Sequence, residues 1–115
     1  MKAVCISDAH AKNGFLESFE IFLTEEKPEL ILFTGDIVNQ GHEVEYLRKF
    51  DQIIGRSEIP LFWVPGNNDI GPVYELMRKR KYSVEDRCVK FEEESIIGMG
   101  GVPDLWGHNI YYYPN

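Results

Sequence analysis

Three short apolar runs constrain this chain more than any other feature. Ala3–Ser7 breaks into Asp8-Ala9-His10. Leu30-Ile31-Leu32-Phe33-Thr34 breaks into Gly35-Asp36. Leu61-Phe62-Trp63-Val64 breaks into Pro65-Gly66-Asn67-Asn68-Asp69. The ends at Asp8, Asp36 and Asn67 recur at about 30 residues, the length of one βαβ unit. Apolar runs this short, bounded by turn signals, suit strands buried on both faces.

Helical patterns fill the gaps. Phe15, Leu16, Phe19, Phe22 and Leu23 fall on one helix face, and Pro28 closes that segment. Val44, Leu47, Phe50 and Ile54 make a second apolar face, with Gly55 placed to cap it. Gly71-Pro72 opens a third helix carrying Val73, Leu76 and Met77. Right-handed crossovers then make the strands parallel. Beyond Tyr82, Cys88–Glu92 and Ser95–Gly98 read as two short strands joined by an acidic turn. Gly100-Gly101-Val102-Pro103 reads as a loop, and Ile110-Tyr111-Tyr112-Tyr113 as the start of another strand. The expected fold class is α/β, a parallel βαβαβα core followed by short antiparallel strands. With 115 residues the chain makes one domain.

Composition removes several function classes. The chain is 43% hydrophobic and 27% charged, as a soluble globular protein is. Twelve Lys+Arg against nineteen Asp+Glu give a net charge of −7, which argues against non-specific binding to a nucleic-acid backbone. The basic run Arg78-Lys79-Arg80-Lys81 reads as a solvated helix end. No apolar run is long enough to span a bilayer, and the N-terminal stretch is too short for a signal peptide. Cys5 and Cys88 lack metal-ligand spacing and are expected to be reduced core thiols in a cytoplasmic protein.

Ligands of parallel α/β sheets sit at the carboxyl ends of the strands. Asp8 and His10 stand at the first end, Asp36 at the second and Asn67 at the third. Each block alone is commonplace, and Gly-Asn-Asn-Asp also reads as a β-turn. All three in order, each ending an apolar run, point to a metal site. The mixed oxygen and nitrogen set suits Mn, Fe, Zn, Ni or Mg as the divalent cation. Two such cations would polarise a phosphoryl group and generate a hydroxide.

Taken together, these blocks resemble the calcineurin-like metallophosphoesterases. Their pattern of Asp-x-His, Gly-Asp-x-x and Gly-Asn-His-Asp/Glu is matched by Asp8-Ala9-His10, Gly35-Asp36-Ile37-Val38-Asn39 and Gly66-Asn67-Asn68-Asp69. Ile96-Ile97-Gly98-Met99-Gly100-Gly101 is similar to the strand-then-glycine segment that follows. The resemblance implies the first half of an αββα sandwich, so the single domain at 1–115 is expected to be incomplete. It implies that Asp8 and His10 hold one metal, that Asp36 bridges, and that Asn67 holds the second. Asn68 stands where the family places a catalytic His, and Asn39 where many members carry the Asp that pairs with it. Two amides cannot relay a proton, though they can donate hydrogen bonds to a phosphate oxygen.

The family's later isolated His and its Gly-His-x-His block are missing. His42 and His108 are the remaining histidines; His42 reads as a helix-start residue or as one that approaches the site from its loop, and His108, in Gly107-His108-Asn109-Ile110, as a loop residue or as a ligand from a partial Gly-His-x-His match. The family binds two cations, and four ligands here point to one or none. An inner sheet face near Trp63, Trp106 and Tyr111–Tyr113 is expected to be partly uncovered. The missing C-terminal half, or a second copy in a homo-oligomer, is the expected partner.

The reading is therefore a metal-dependent hydrolase, a phosphomonoesterase or phosphodiesterase, whose N-terminal half of the site this chain carries. The competing reading is a non-catalytic metal-binding or scaffold module with a degenerate form of the same fold. A third, a small flavodoxin-like domain, lacks any glycine-rich phosphate cradle.

Overall fold

The computed structural model describes residues 1–39, 43–69, 71–103 and 109–110. The elements are β1 (Ala3–Ile6), α1 (Phe15–Glu26), β2 (Leu30–Phe33), α2 (Val44–Ser57), β3 (Leu61–Trp63), α3 (Pro72–Lys79), β4 (Cys88–Phe91), β5 (Glu94–Ile97), β6 (Val102–Pro103) and β7 (Asn109–Ile110). Strands β1, β2 and β3 form one parallel sheet in that order. Ala3 lies opposite Leu30, and Ile31 opposite Leu61. Each crossover steps one strand in the same direction, so right-handed connections put their helices on one face. The expected α/β order is thus met, with a parallel core ahead of short antiparallel strands.

Alternation along β2 and β3 decides where the core sits. Ile31, Phe33, Leu61 and Trp63 are almost wholly buried, while Leu32 and Phe62 are half-buried. Leu16, Phe19 and Leu23 of α1 join that core, with Leu47, Phe50 and Ile54 of α2 and Val73 and Met77 of α3. Phe50 meets Phe33 edge-on at 5.3 Å and stacks beside Phe19 at 6.0 Å. Such aromatic pairs add about 0.5–1.5 kcal/mol beyond their area burial.

Several sequence expectations need correction. β1 is not buried on both faces, because among the described residues it forms the edge of the sheet: Ala3 and Cys5 are exposed and Val4 and Ile6 half-buried. Cys5 and Cys88 are free but exposed, so neither is a core thiol. Phe22 is 41% exposed, because the stripe Leu16, Phe19 and Leu23 makes the buried face of α1. Helix α2 runs through Gly55 to Ser57 and ends on Glu58 in the left-handed conformation. Ser57 accounts for the later stop: its hydroxyl donates to Ile54 O at 2.7 Å and accepts from Ile59 N–H at 3.1 Å. Trp63 belongs to the helix-side core and is fully buried, not on an uncovered face. Val102–Pro103 pairs antiparallel with Asn109–Ile110 instead of forming a free loop. His42, Trp106, His108 and Tyr111–Tyr113 lie outside the described residues.

The opposite sheet face carries the β4–β5 hairpin, in which Cys88 lies opposite Ile97. Phe62 meets Phe91 edge-on at 6.0 Å. A groove of about 220 Å³ remains there, lined by Leu32, Phe62, Val64, Val84, Ile96 and Met99 among others. Ser83 bridges Trp63 in parallel fashion, which extends the sheet beyond β3. Among the described residues no helix is long and apolar enough to cross a membrane.

Candidate metal centre

The turns after β1 and β2 are tied together by main-chain hydrogen bonds. Asp8 N–H donates to Gly35 O at 3.0 Å, His10 N–H to Asp36 O at 2.9 Å, and Ala11 N–H to Ile37 O at 2.8 Å. Pairing between the first two strands therefore continues past both. The backbone bends sharply along the way, with φ of 56° at Asp8, 48° at His10 and 60° at Asp36. Asp and His tolerate this left-handed region better than most residues. Each such position still costs about 1–3 kcal/mol, and such strain concentrates at functional sites.

The side chains at these three bends converge. One ligand atom each from Asp8, His10 and Asp36 lies within 4.8 Å of the others. His10 Nε2 is 3.3 Å from Asp8 Oδ1 and 4.0 Å from Asp36 Oδ2. Asp8 is exposed, His10 half-buried and Asp36 only 8% exposed. Among the described residues no Lys or Arg pairs with either carboxylate. Two carboxylates and an imidazole without a cationic side chain make a set that fits a divalent cation.

Asp36 is positioned from the third turn. Its Oδ1 accepts the main-chain N–H of Asn68 at 2.9 Å. Gly66 packs directly on it, so that a methyl group at Gly66 would overlap the Asp36 carboxylate. A methyl group at Gly35 would likewise overlap the nitrogen of Gly66. Both glycines are therefore required for the second and third turns to touch. Asn67 is half-buried between two residues that contact the Asp36 carboxylate. Asn68 is also half-buried, and it is its backbone that reaches Asp36.

Sequence reasoning gave Asp69 no role of its own, yet it is fully buried beneath the site. Its Oδ2 accepts from Asp36 N–H at 2.6 Å, Gly66 N–H at 3.1 Å and Trp63 Nε1–H at 3.3 Å, and its Oδ1 from Ile37 N–H at 3.2 Å. Burial pushes this carboxyl up to about 6, against the downward pull of the Gly66 and Asp36 amides. Four donors aimed at one acidic group fix both turns to β3. The block Gly66-Asn67-Asn68-Asp69 marks the position, but the partners are mainly main-chain amides, which the sequence does not show. Asn39 also differs from the expected pairing with position 68. Its Oδ1 lies 2.9 Å from His10 Nδ1, and its Nδ2 donates to His10 O at 3.1 Å.

Comparison with known proteins gives the same direction. A probable glycerophosphodiester phosphodiesterase of Arcobacter nitrofigilis is 40% identical over 43 residues, 37% of this chain and 15% of that protein. A glycerophosphodiester phosphodiesterase of Enterobacter lignolyticus is 41% identical over 44 residues, 38% of this chain and 16% of that protein. The matches thus span less than a fifth of those relatives. The model of the calcineurin-like phosphoesterases matches residues 1–113. With that match over almost its whole length, and with the Asp8, His10 and Asp36 cluster at the ends of its parallel strands, the chain belongs to the calcineurin-like phosphoesterase family.

Proposed function

We propose that this chain carries the N-terminal half of a divalent-metal phosphodiesterase centre, within a single domain that a further segment or subunit completes. The observation that carries this reading is the convergence of Asp8, His10 and Asp36 within 4.8 Å. Asp8 and His10 would hold one cation, with Asp36 and Asn67 as the residues that would also reach a second where the completed site binds one. Bound there, divalent cations supply Lewis-acid polarisation of a phosphoryl group and a lowered pKa for water. Asn68, at the family's His position, donates an amide hydrogen bond to a non-bridging phosphate oxygen. The Asp69 clamp holds the Asp36 backbone still while charge develops.

The substrate class we favour is a phosphodiester, in the manner of the glycerophosphodiesters for which the relatives are named. Manganese is the proposed working cation, since carboxylate and imidazole ligands accommodate it well. The free thiols of Cys5 and Cys88 support a reducing, cytoplasmic setting.

The test is hydrolysis of bis(p-nitrophenyl) phosphate and of a glycerophosphodiester by the chain together with the segment or subunit that completes its domain, with Mn²⁺ and with chelator. Turnover should require the metal and fall by about 10²-fold or more in Asp36→Ala. Metal binding without any turnover, at any protein concentration, would instead favour the non-catalytic module.

A further inference from the structure

Asn39 makes two hydrogen bonds to one residue, and together they determine where the imidazole proton of His10 resides. Asn39 approaches the main-chain oxygen of His10 at 3.1 Å, and a carbonyl oxygen can only accept. The Asn39 atom on that side is therefore the NH₂ group. The amide oxygen must then be the atom 2.9 Å from His10 Nδ1. Oxygen in that position can only accept too, so Nδ1 carries the hydrogen. In the neutral ring Nε2 is left with its lone pair. That nitrogen is the one 3.3 Å from Asp8 Oδ1, an oxygen that likewise only accepts, and 4.0 Å from Asp36 Oδ2; the shorter 2.9 Å contact at Nδ1 is the one that takes the single proton of the neutral ring.

We propose that Asn39 is the positioning residue that fixes His10 in the Nδ1–H tautomer and turns its Nε2 lone pair into the cluster with Asp8 and Asp36. This rests on the metal-centre reading given above. Backbone carbonyls and carboxylates commonly hold the second nitrogen of a metal-ligating imidazole. Here a side-chain amide does so, and its own orientation is locked by the backbone of the very residue it serves. The reciprocal pair closes a ring between the first and second turns. His10 N–H also donates to Asp36 O at 2.9 Å, so both main-chain polar groups of His10 are engaged from the second turn. Asn39 is exposed, which separates its role from core packing.

The experiment uses the ¹⁵N-labelled chain, wild type, Asn39→Leu and Asn39→Asp. Long-range ¹H–¹⁵N spectra of the metal-free protein at about pH 8, above the ordinary imidazole range, report the tautomer of His10. Titration with MnCl₂ alone reports affinity. Wild type should show the proton on Nδ1. Asn39→Leu should lose that preference and bind Mn²⁺ about 10–100-fold more weakly, without a change in the urea midpoint. Asn39→Asp keeps an acceptor for Nδ1–H and should restore both tautomer and most of the affinity. A wild-type proton on Nε2, or an Asn39→Leu chain with unchanged tautomer and affinity, overturns the proposal. If wild type binds no Mn²⁺, the metal-centre reading fails, while the tautomer measurement still decides the role of Asn39.

Discussion

The carboxylate of Asp69 accepts a 2.6 Å hydrogen bond from the main-chain N–H of Asp36 across the second and third turns. The bond makes the position of one candidate ligand depend on a residue that ligates nothing. Asp69→Asn keeps one acceptor but turns an NH₂ group against a main-chain N–H. It should cost about 1–3 kcal/mol of stability, the price of a buried donor left unsatisfied. The midpoint of urea unfolding measures this, and a midpoint equal to wild type would show that the clamp carries no energy.

Gly66 offers a separate handle on the same geometry. A methyl group there overlaps the Asp36 carboxylate. Gly66→Ala should cost about 1–3 kcal/mol, the usual penalty for overpacking. It should also weaken Mn²⁺ binding, because the displaced group is a proposed ligand. Calorimetric titration of the folded variant tests the second effect. Full-strength binding would mean that the Asp36 carboxylate can move aside freely.

The convergence of Asp8 with Asp36 implies a trade between stability and binding. Without metal, two carboxylates face an imidazole with no Lys or Arg among the described residues paired to them. Asp8→Asn should leave the metal-free protein as stable as wild type or slightly more so, since Asp8 is exposed and repulsion there is screened. Wild type should gain about 2.7 kcal/mol at Mn²⁺ concentrations of 100 times Kd, and the variant far less. Thermal melts with Mn²⁺ and with chelator make the comparison. Equal metal-induced shifts in both proteins would remove Asp8 from the site.

Away from the site, Tyr74 donates its phenolic hydrogen to Glu85, which raises the Tyr74 pKa from 10.0 to about 12. Tyr46 reaches a similar value mainly through burial. A raised tyrosine pKa stabilises the fold fully below the unfolded value and loses that effect as pH rises through the folded value. Stability should therefore fall between about pH 10 and pH 12. Tyr74→Phe should flatten part of that slope, as read from urea midpoints across the range. An unchanged slope would show that the Glu85 bond does not set the titration.

The parallel core was readable because β2 and β3 bury both apolar runs and turn signals bound them. The edge strand was not, because Ala3 and Cys5 are apolar residues that happen to face outwards. Apolar character marks what can be buried, and the edge of a sheet decides what is. Phe22 misled in the same way. At the site, the convergence of Asp8, His10 and Asp36 followed from their places at successive strand ends. The roles of Asp69 and Asn39 did not. Both act on main-chain groups of residues about 30 positions away, and a backbone amide leaves no signature in a sequence.

The proposed divalent-metal site comprises Asp8, His10 and Asp36. Its most direct test is the electron paramagnetic resonance signal of free Mn²⁺ during titration into the protein. Wild type should show saturable binding that Asp36→Ala abolishes while the variant stays folded. A wild-type protein that leaves the free Mn²⁺ signal undiminished, or an Asp36→Ala chain that binds as wild type does, would contradict it.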